Sequence, residues 1–385
     1  MIRRQTSARP DAMGRDPPRR GVDGIKDDLS RQLSLMAHRS ASYRRLVPHI
    51  AQLLDDPTRG PTVLASMQRA WRTREFGAFY ERPLLLFAAL RWDALCDGPA
   101  HPLHAALRDR DPDVDSITEA ALASALDASR TGLWTTLALR RVQTNDTSRG
   151  LAWLWPAAIA GCSDGARPVV LVDVGCSAGL NLIADSLPHI WTTTGGAPLA
   201  MVRRPKVVTR FGLDSRPLDI ERAEDARWLH ACVWPGEPDR SDRLDAAIAG
   251  FRDTRDRGEH IEVVRRDAIA APGFVRTAMA AAPPNAVAIV YQTMMSGYLD
   301  AQTRATFEGE LHQLVVSSPP GSVLWTDLEV KGPSTSPRPA ELWVHARAGE
   351  QRASFLVGTT GYHPAEVSVR DDAVRDLTAL LHSRP

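Results

Sequence analysis

Two textures of apolar residues divide the chain. Between about residues 27 and 165 the apolar positions recur at helical spacing, as in Leu122, Leu126, Leu133 and Leu137, with Ser116 or Thr118 placed to cap. Pro83 suits the first turn of a helix over 84–95. No strand-like alternation occurs there, so this stretch predicts an all-helical unit. From about 167 the pattern changes. Val169-Val170-Leu171-Val172-Asp173-Val174 is a run dominated by β-branched valine, as in a strand buried on both faces. Further strand candidates are 206–211, 261–265, 286–291 and 323–326, with helical patterns between them at 223–232 and 240–252. Strands alternating with helices predict an α/β fold with a mostly parallel sheet. Segments 342–347 and 353–357, joined by a turn-like link, predict an antiparallel hairpin near the C-terminus. The expected organisation is a disordered basic tail over 1–26, a helical domain over 27–165 and a Rossmann-like α/β domain over 166–385.

Composition adds bounds. The 385 residues are 43% hydrophobic and 24% charged, enough apolar content for a packed core. Segment 1–26 is the exception, with Arg3, Arg4, Arg9, Arg15, Arg19 and Arg20 among prolines and little to fold around. Basic and acidic residues balance to a net charge of +1, which argues against a broad nucleic-acid surface and favours a small-molecule partner. Only Lys26, Lys206 and Lys331 are lysines, a bias that reads as coding composition. Cys96, Cys162, Cys176 and Cys232 are scattered without CxxC spacing, which speaks against a zinc knuckle or a disulfide scaffold. Apolar runs fall well short of the roughly 20 residues of a membrane span, and no N-terminal signal-type segment occurs. A soluble, cytoplasmic protein without a metal site is expected.

The strongest chemical signal is Val172-Asp173-Val174-Gly175-Cys176-Ser177-Ala178-Gly179-Leu180-Asn181. A buried strand, a turn of small residues and a helix start would bring backbone N–H groups to the carboxyl end of the sheet, where open α/β folds bind ligands. The pattern resembles the glycine-rich signature of class I S-adenosylmethionine-dependent methyltransferases, with Asp173 as the acid and Ser177 in place of the middle glycine. Gly175-Cys176-Ser177-Ala178-Gly179 also reads as a G-x-S-x-G nucleophile elbow, with Asp267 or Asp327 and His345 or His363 in order behind it. The helical upstream half and the absence of an oxyanion-type segment count against that hydrolase reading. Packing alone also accounts for many such turns.

Resemblance to the methyltransferases implies more of the site. Asp173, Gly175, Cys176, Ser177, Gly179 and Asn181 would hold the amino-acid end of S-adenosylmethionine. Asp214 would take the ribose hydroxyls, although it lies further along the chain than the usual roughly 20 residues, or is simply a turn residue. Asp267 and Ala268 would face the adenine, or Asp267 would cap a helix. Tyr291 and Gln292, ending the fourth strand, would line the methyl-acceptor side. The polar run Gln143-Thr144-Asn145-Asp146-Thr147-Ser148-Arg149 is richer than a helix cap requires, so Asn145 and Arg149 are expected in the cleft. Tyr291, His345 and Glu329 are candidates for a base.

The chain as a whole resembles the uncharacterised bacterial domain family 2332 over about residues 40–370. The resemblance rests on Ser42-Tyr43, Val142-Gln143-Thr144-Asn145-Asp146 with Arg149, the 174–182 turn, Gly212-Leu213-Asp214 with Pro217-Leu218-Asp219, Ala226-Arg227-Trp228-Leu229 with Trp234-Pro235, and Arg266-Asp267-Ala268. It implies a methyltransferase-like core behind a helical region. In the fourth-strand motif the family is expected to carry a His-Ser pair where this chain has Gln292-Thr293. The expected function is methyl transfer from S-adenosylmethionine to a small molecule, with a non-catalytic ligand-binding or scaffold protein on a degenerate fold as the alternative class.

Overall fold

The computed structural model describes residues 19–382 apart from 37–38, 144, 202–204 and 332–338. The helical half contains α1 (Ile25–Met36), α2 (Ala41–Asp55), α3 (Gly60–Ala70), α4 (Glu81–Asp97), α5 (Glu119–Ala125) and α6 (Thr131–Leu139). α7 (Leu151–Ile159), α8 (Ala223–Ala231), α9 (Pro238–Asp256), α10 (Ala271–Ala281), α11 (Ala301–Ser317) and α12 (Asp371–His382) follow. Two short strands, β1 (Arg19–Arg20) and β2 (Glu75–Phe76), pair antiparallel. The remaining strands are β3 (Val169–Val174), β4 (Thr192–Thr193), β5 (Val207–Asp214), β6 (Ile261–Arg265), β7 (Val287–Thr293), β8 (Val323–Glu329), β9 (Ala340–Ala348), β10 (Gln351–Thr360) and β11 (Glu366–Val369).

Local sequence explains several boundaries. Thr118 caps α5 by accepting the Ala121 N–H at 3.1 Å, whereas Ser116 does not cap. The leucine stripe 122–137 is two helices instead of one. Asp127 accepts the Ser129 N–H at 2.8 Å, a local turn that competes with helix continuation. All four leucines are nevertheless buried.

Residues 1–18 of the expected tail lie outside the described residues, but 19–26 belong to the ordered chain. Ile25 and Leu29 are buried, and Arg82 draws the segment inward. Its Nε and Nη2 donate to Asp28 Oδ2 at 2.8 and 2.5 Å, and Nη1 donates to the Gly21 and Asp23 carbonyls at 3.0 and 2.8 Å. A buried guanidinium needs such acceptors, and the chain before α1 supplies them.

The apolar core changes between α6 and α7, earlier than the expected boundary near 165. Leu133 and Leu137 share a core with α2 and α4, whereas Leu151, Trp153 and Leu154 pack with Leu171 and Ile289 of the sheet. In return α8 sends Trp228, Ala231 and Cys232 into the helical core, and Arg91 holds the Val233 carbonyl at 2.7 Å. The two halves are therefore bolted together through buried contacts.

Among the described residues the main sheet has nine strands in the order β4-β11-β10-β9-β8-β7-β3-β5-β6. β6, β5, β3, β7 and β8 run parallel; β8, β9, β10 and β11 alternate antiparallel, so the expected hairpin is present as β9–β10. α7 and α12 cover one face, α10 and α11 the other. After β3 the chain builds outward to β5 and β6, then returns to add β7 and β8. Strand order thus reverses at β3, and the carboxyl ends of β3 and β7 mark the crevice where open α/β sheets bind ligands. Among the described residues no helix is long and apolar enough to cross a membrane.

Candidate functional site

The turn after β3 is tightly built, and its parts face inward. Gly175 and Gly179 take φ of +78° and +75°, and Ser177 takes +55°. Ser177 thus adopts the left-handed backbone for which glycine is the natural residue, at the one position where the chain departs from the glycine pattern. A Cβ on Gly179 would stand 2.7 Å from Val263 Cγ2, and one on Gly175 would stand 2.9 Å from Met295 Cβ. Both glycines are therefore required by close packing inside the protein.

Four amides of the turn are also engaged. Gly175 and Cys176 donate to the Leu213 carbonyl at 2.8 and 3.2 Å, and Gly179 donates to the Cys176 carbonyl at 2.8 Å. Ser177 N–H donates to Asp214 Oδ2 at 2.9 Å. The expected helix after the turn is a 3-10 run over Leu180–Ser186 with a kink at Ile183. Side chains from elsewhere take its carbonyls: Trp153 Nε1 donates to Asn181 O at 2.8 Å, and Arg210 donates to Leu182 O. A Cβ at Gly150 would lie 2.2 Å from Ala184 Cβ, so the polar loop is pressed against the run. Gly175, Cys176, Ser177 and Gly179 therefore have their amides bonded within the protein.

Unpaired side-chain oxygens remain. Asp173 is 2% exposed, and its Oδ2 has no hydrogen-bond partner among the described residues. Its register partner on β7 is Tyr291, so both side chains stand on the α7-covered face, and the Tyr291 hydroxyl is likewise without a hydrogen bond. Burial pushes Asp173 up to about 8, with Tyr291 pulling it down and the Asp214 carboxylate pushing it up. The Tyr291 hydroxyl stands near enough to the acid to favour its ionised form. Asn181 Oδ1 is also buried and unpaired, as are both amide atoms of Asn145.

Asp214 ends β5 and accepts the Arg216 N–H through Oδ1 at 2.7 Å in addition to the Ser177 N–H. Burial outweighs these donors and raises its pKa. Ser177 Oγ donates to Gln143 Oε1 at 3.0 Å, and Gln143 Nε2 donates to the Arg216 carbonyl at 2.7 Å. The polar loop before α7 therefore reaches the glycine turn through Gln143; Thr144 lies outside the described residues. Asp267 is exposed before the turn Ala268–Ala270 and makes no capping bond, while Ala268 is buried and Ile269 is 46% exposed.

The structure separates other expected partners. Gln292 follows Tyr291 on β7 and therefore points to the opposite sheet face, where it donates to Ser296 Oγ at 2.9 Å and accepts from Trp325 Nε1 at 3.3 Å. Glu329, a candidate base, accepts the Met295 and Ser296 amides at 2.9 and 3.0 Å and Ser296 Oγ at 3.0 Å; burial raises its pKa. It thereby fastens the loop whose Met295 covers Gly175. Met294 beside it has a φ of +53°, like Ser177 a non-glycine residue in the left-handed region.

Arg149 is buried and donates through Nε to the Tyr362 carbonyl at 3.3 Å. Its neighbour Asp146 holds Ser148, pairs with His363 and lies 3.2 Å from Arg240 Nε. Burial alone would raise Asp146, but His363 and the two arginines hold it well below the carboxylate range. This joint between 143–149 and the β10–β11 connection could not be read from spacing, because His363 and Asp146 lie in distant parts of the sequence. Asp327 and His345, one acid and base pair of the hydrolase pattern, do meet at 2.8 Å. The serine on the other ring nitrogen is Ser354, and Ser177 is joined to Gln143. A cleft of about 190 Å³ lies beside the polar loop, lined by residues including Ser148, Ala184, Leu187, Trp191 and Arg243; Asp173, Gly175 and Asp214 do not line it.

These features define a mixed α/β protein whose sheet reverses strand order at β3, with a helical half docked against it, buried polar groups at the carboxyl ends of β3 and β7 and a half-buried acid at that of β5. The model of the family described as "Uncharacterized protein conserved in bacteria (DUF2332)" matches residues 27–368, and the chain belongs to that family. No curated protein matches the chain.

Proposed function

We propose that the protein binds S-adenosylmethionine at the carboxyl ends of β3 and β5 and transfers its methyl group to a small-molecule acceptor. The single observation carrying this reading is Asp173: a buried acid at the end of the central strand, with an unpaired oxygen, at the point where strand order reverses. A buried carboxylate needs a cation or donor opposite it, and the cofactor's ammonium is one. The order β6-β5-β3-β7-β8 followed by an antiparallel strand supports the methyltransferase-type reading of the sheet.

In this reading Asp173 and Asn181 hold the amino-acid end. Asp214 keeps acceptor capacity beyond the two amides it already holds and takes the ribose hydroxyls. Asp267 and the exposed Ile269 meet the purine. Met295, whose Cβ and Cγ stand over Gly175, would have to move together with the loop that Glu329 fastens. The cofactor supplies an electrophilic methyl group on a sulfonium; the protein's share is alignment and exclusion of water. Isothermal calorimetry at pH 8 tests the reading. Saturable binding of S-adenosylmethionine, lost in Asp173→Asn, is expected; a folded protein that shows no heat of binding would sink it.

A second reading has its own observation. The engaged amides and the cover of Met295 over Gly175 suit a degenerate, non-catalytic member of the fold. Binding without turnover across a panel of acceptors would favour it.

A further inference from the structure

A second hydrogen-bonded constellation lies on the α11-covered face of the sheet, away from the glycine turn. Ser354 on β10 and His345 on β9 are direct register partners, and His345 in turn faces Trp325 of β8. His345 Nδ1 lies 2.7 Å from Ser354 Oγ, and Nε2 lies 2.8 Å from Asp327 Oδ2. His345 and Asp327 are 2% and 3% exposed, whereas Ser354 is exposed. Lys331 Nζ stands 2.8 Å from the other Asp327 oxygen. Asp327 stays ionised because His345 and Lys331 outweigh its burial. An ionised Asp327 accepts the Nε2–H, which leaves Nδ1 free to accept the serine proton.

The surroundings hold that geometry. The His345 ring lies against Trp325 with centroids 4.3 Å apart and planes tilted by 31°, and is near-parallel to Trp343 at 6.5 Å. Arg352 is two residues before Ser354, hence on the same strand face, and its guanidinium lies 5.0 Å over the Trp325 ring. Its charge acts on His345 and opposes protonation of the ring.

We infer that Ser354, His345 and Asp327 form a nucleophile, base and orienting acid that act on small carboxylic esters. Ser354 Oγ bonds to the acyl carbon while its proton passes to His345 Nδ1. The ester C–O bond breaks, and the alkoxide leaves with that proton. Water then enters by the same route, giving the free acid and restoring the serine. The order of residues is Asp, His, Ser along the chain, and the geometry of roles defines such sites regardless of order. Burial holds His345 low, at about 4, so the ring is neutral and able to accept at neutral pH.

The test uses the full chain and a fluorophosphonate probe, which phosphonylates an activated serine with loss of fluoride. Peptide mass spectrometry of the labelled protein is expected to find the adduct on Ser354, to lose it in Ser354→Ala, and to find it formed at least tenfold more slowly in His345→Gln. Should His345→Gln fail to fold, urea-unfolded wild type replaces it, and labelling at Ser354 must fall by the same factor. No adduct on Ser354 in the folded protein, or labelling that is equally fast without His345 or without the fold, overturns the inference.

Discussion

Asp214 Oδ2 accepts the main-chain N–H of Ser177 at 2.9 Å, so the acid ending β5 holds the turn that follows β3. Its other oxygen fixes Arg216. Asp214→Asn replaces one acceptor by an NH2 group that faces an N–H. Leaving that donor unpaired costs about 1–3 kcal/mol. Urea denaturation checks this, and a change below a few tenths of a kcal/mol would contradict the role of Asp214 as the turn's anchor.

Asp173 is held near 8 by burial, well above an ordinary aspartate. The folded state therefore retains a proton that the unfolded chain releases above about pH 4, so this group's stability contribution fades as pH rises and is gone above its folded pKa. Asp173→Asn is expected to raise thermal stability at pH 8 by an amount on the order of a few kcal/mol, and less at pH 5. The same variant loses cofactor binding under the proposed function. Wild-type affinity is expected to climb from pH 6 to 9 as the acid ionises, which calorimetry across that range reads directly.

Acid stability has the opposite sign. His345 and His363 are both depressed to about 4, in each case chiefly by burial. Between that value and the ordinary 6.5 the unfolded chain takes up protons that the fold refuses, so stability falls as pH drops through this window. Arg240 and Arg149 face His363, Arg352 and Lys331 face His345, and both sets oppose protonation against the pull of Asp146 and Asp327. His363→Gln is expected to flatten part of the loss in melting temperature between pH 6.5 and 4.5. An unchanged slope would show that His363 already carries its proton in the fold.

Gly179→Ala combines a left-handed φ with a contact of 2.7 Å to Val263, and is expected to cost about 2–4 kcal/mol. Ser177→Gly relieves the left-handed strain of about 1 kcal/mol and loses the hydrogen bond to Gln143, of similar size. Equilibrium unfolding should place the two variants far apart. Similar losses would mean that the turn tolerates side chains at Gly179.

The Arg82–Asp28 pair has no exposure on either side chain. Arg82→Leu removes the guanidinium from the Asp28 carboxylate and from the carbonyls of Gly21 and Asp23. Breaking a buried pair in this way costs about 3–5 kcal/mol. The residues preceding α1 should become sensitive to limited proteolysis at the same time.

The valine-rich run of 169–174 reads as a strand buried on both faces, and the change of period after it announced alternating strands and helices. Those features, with the helical first half and the β9–β10 hairpin, follow from local chemistry that each segment carries by itself. Asp173, Asp214 and Tyr291 were legible as candidates because strand ends are where such a sheet exposes polar groups.

What the tertiary structure decided was which groups already have partners. Spacing could not show that Met295 fills the space over Gly175, that Leu213 and Asp214 take three of the turn's amides, or that α7 joins the sheet's core. Nor could it show that period-two alternation sends Tyr291 and Gln292 to opposite faces once their strand is central, or that Asp327 and His345 find Ser354. Hydrogen bonds and burial are properties of pairs brought together from distant parts of the chain. A sequence lists the donors, acceptors and apolar surfaces, and the fold alone determines which of them meet.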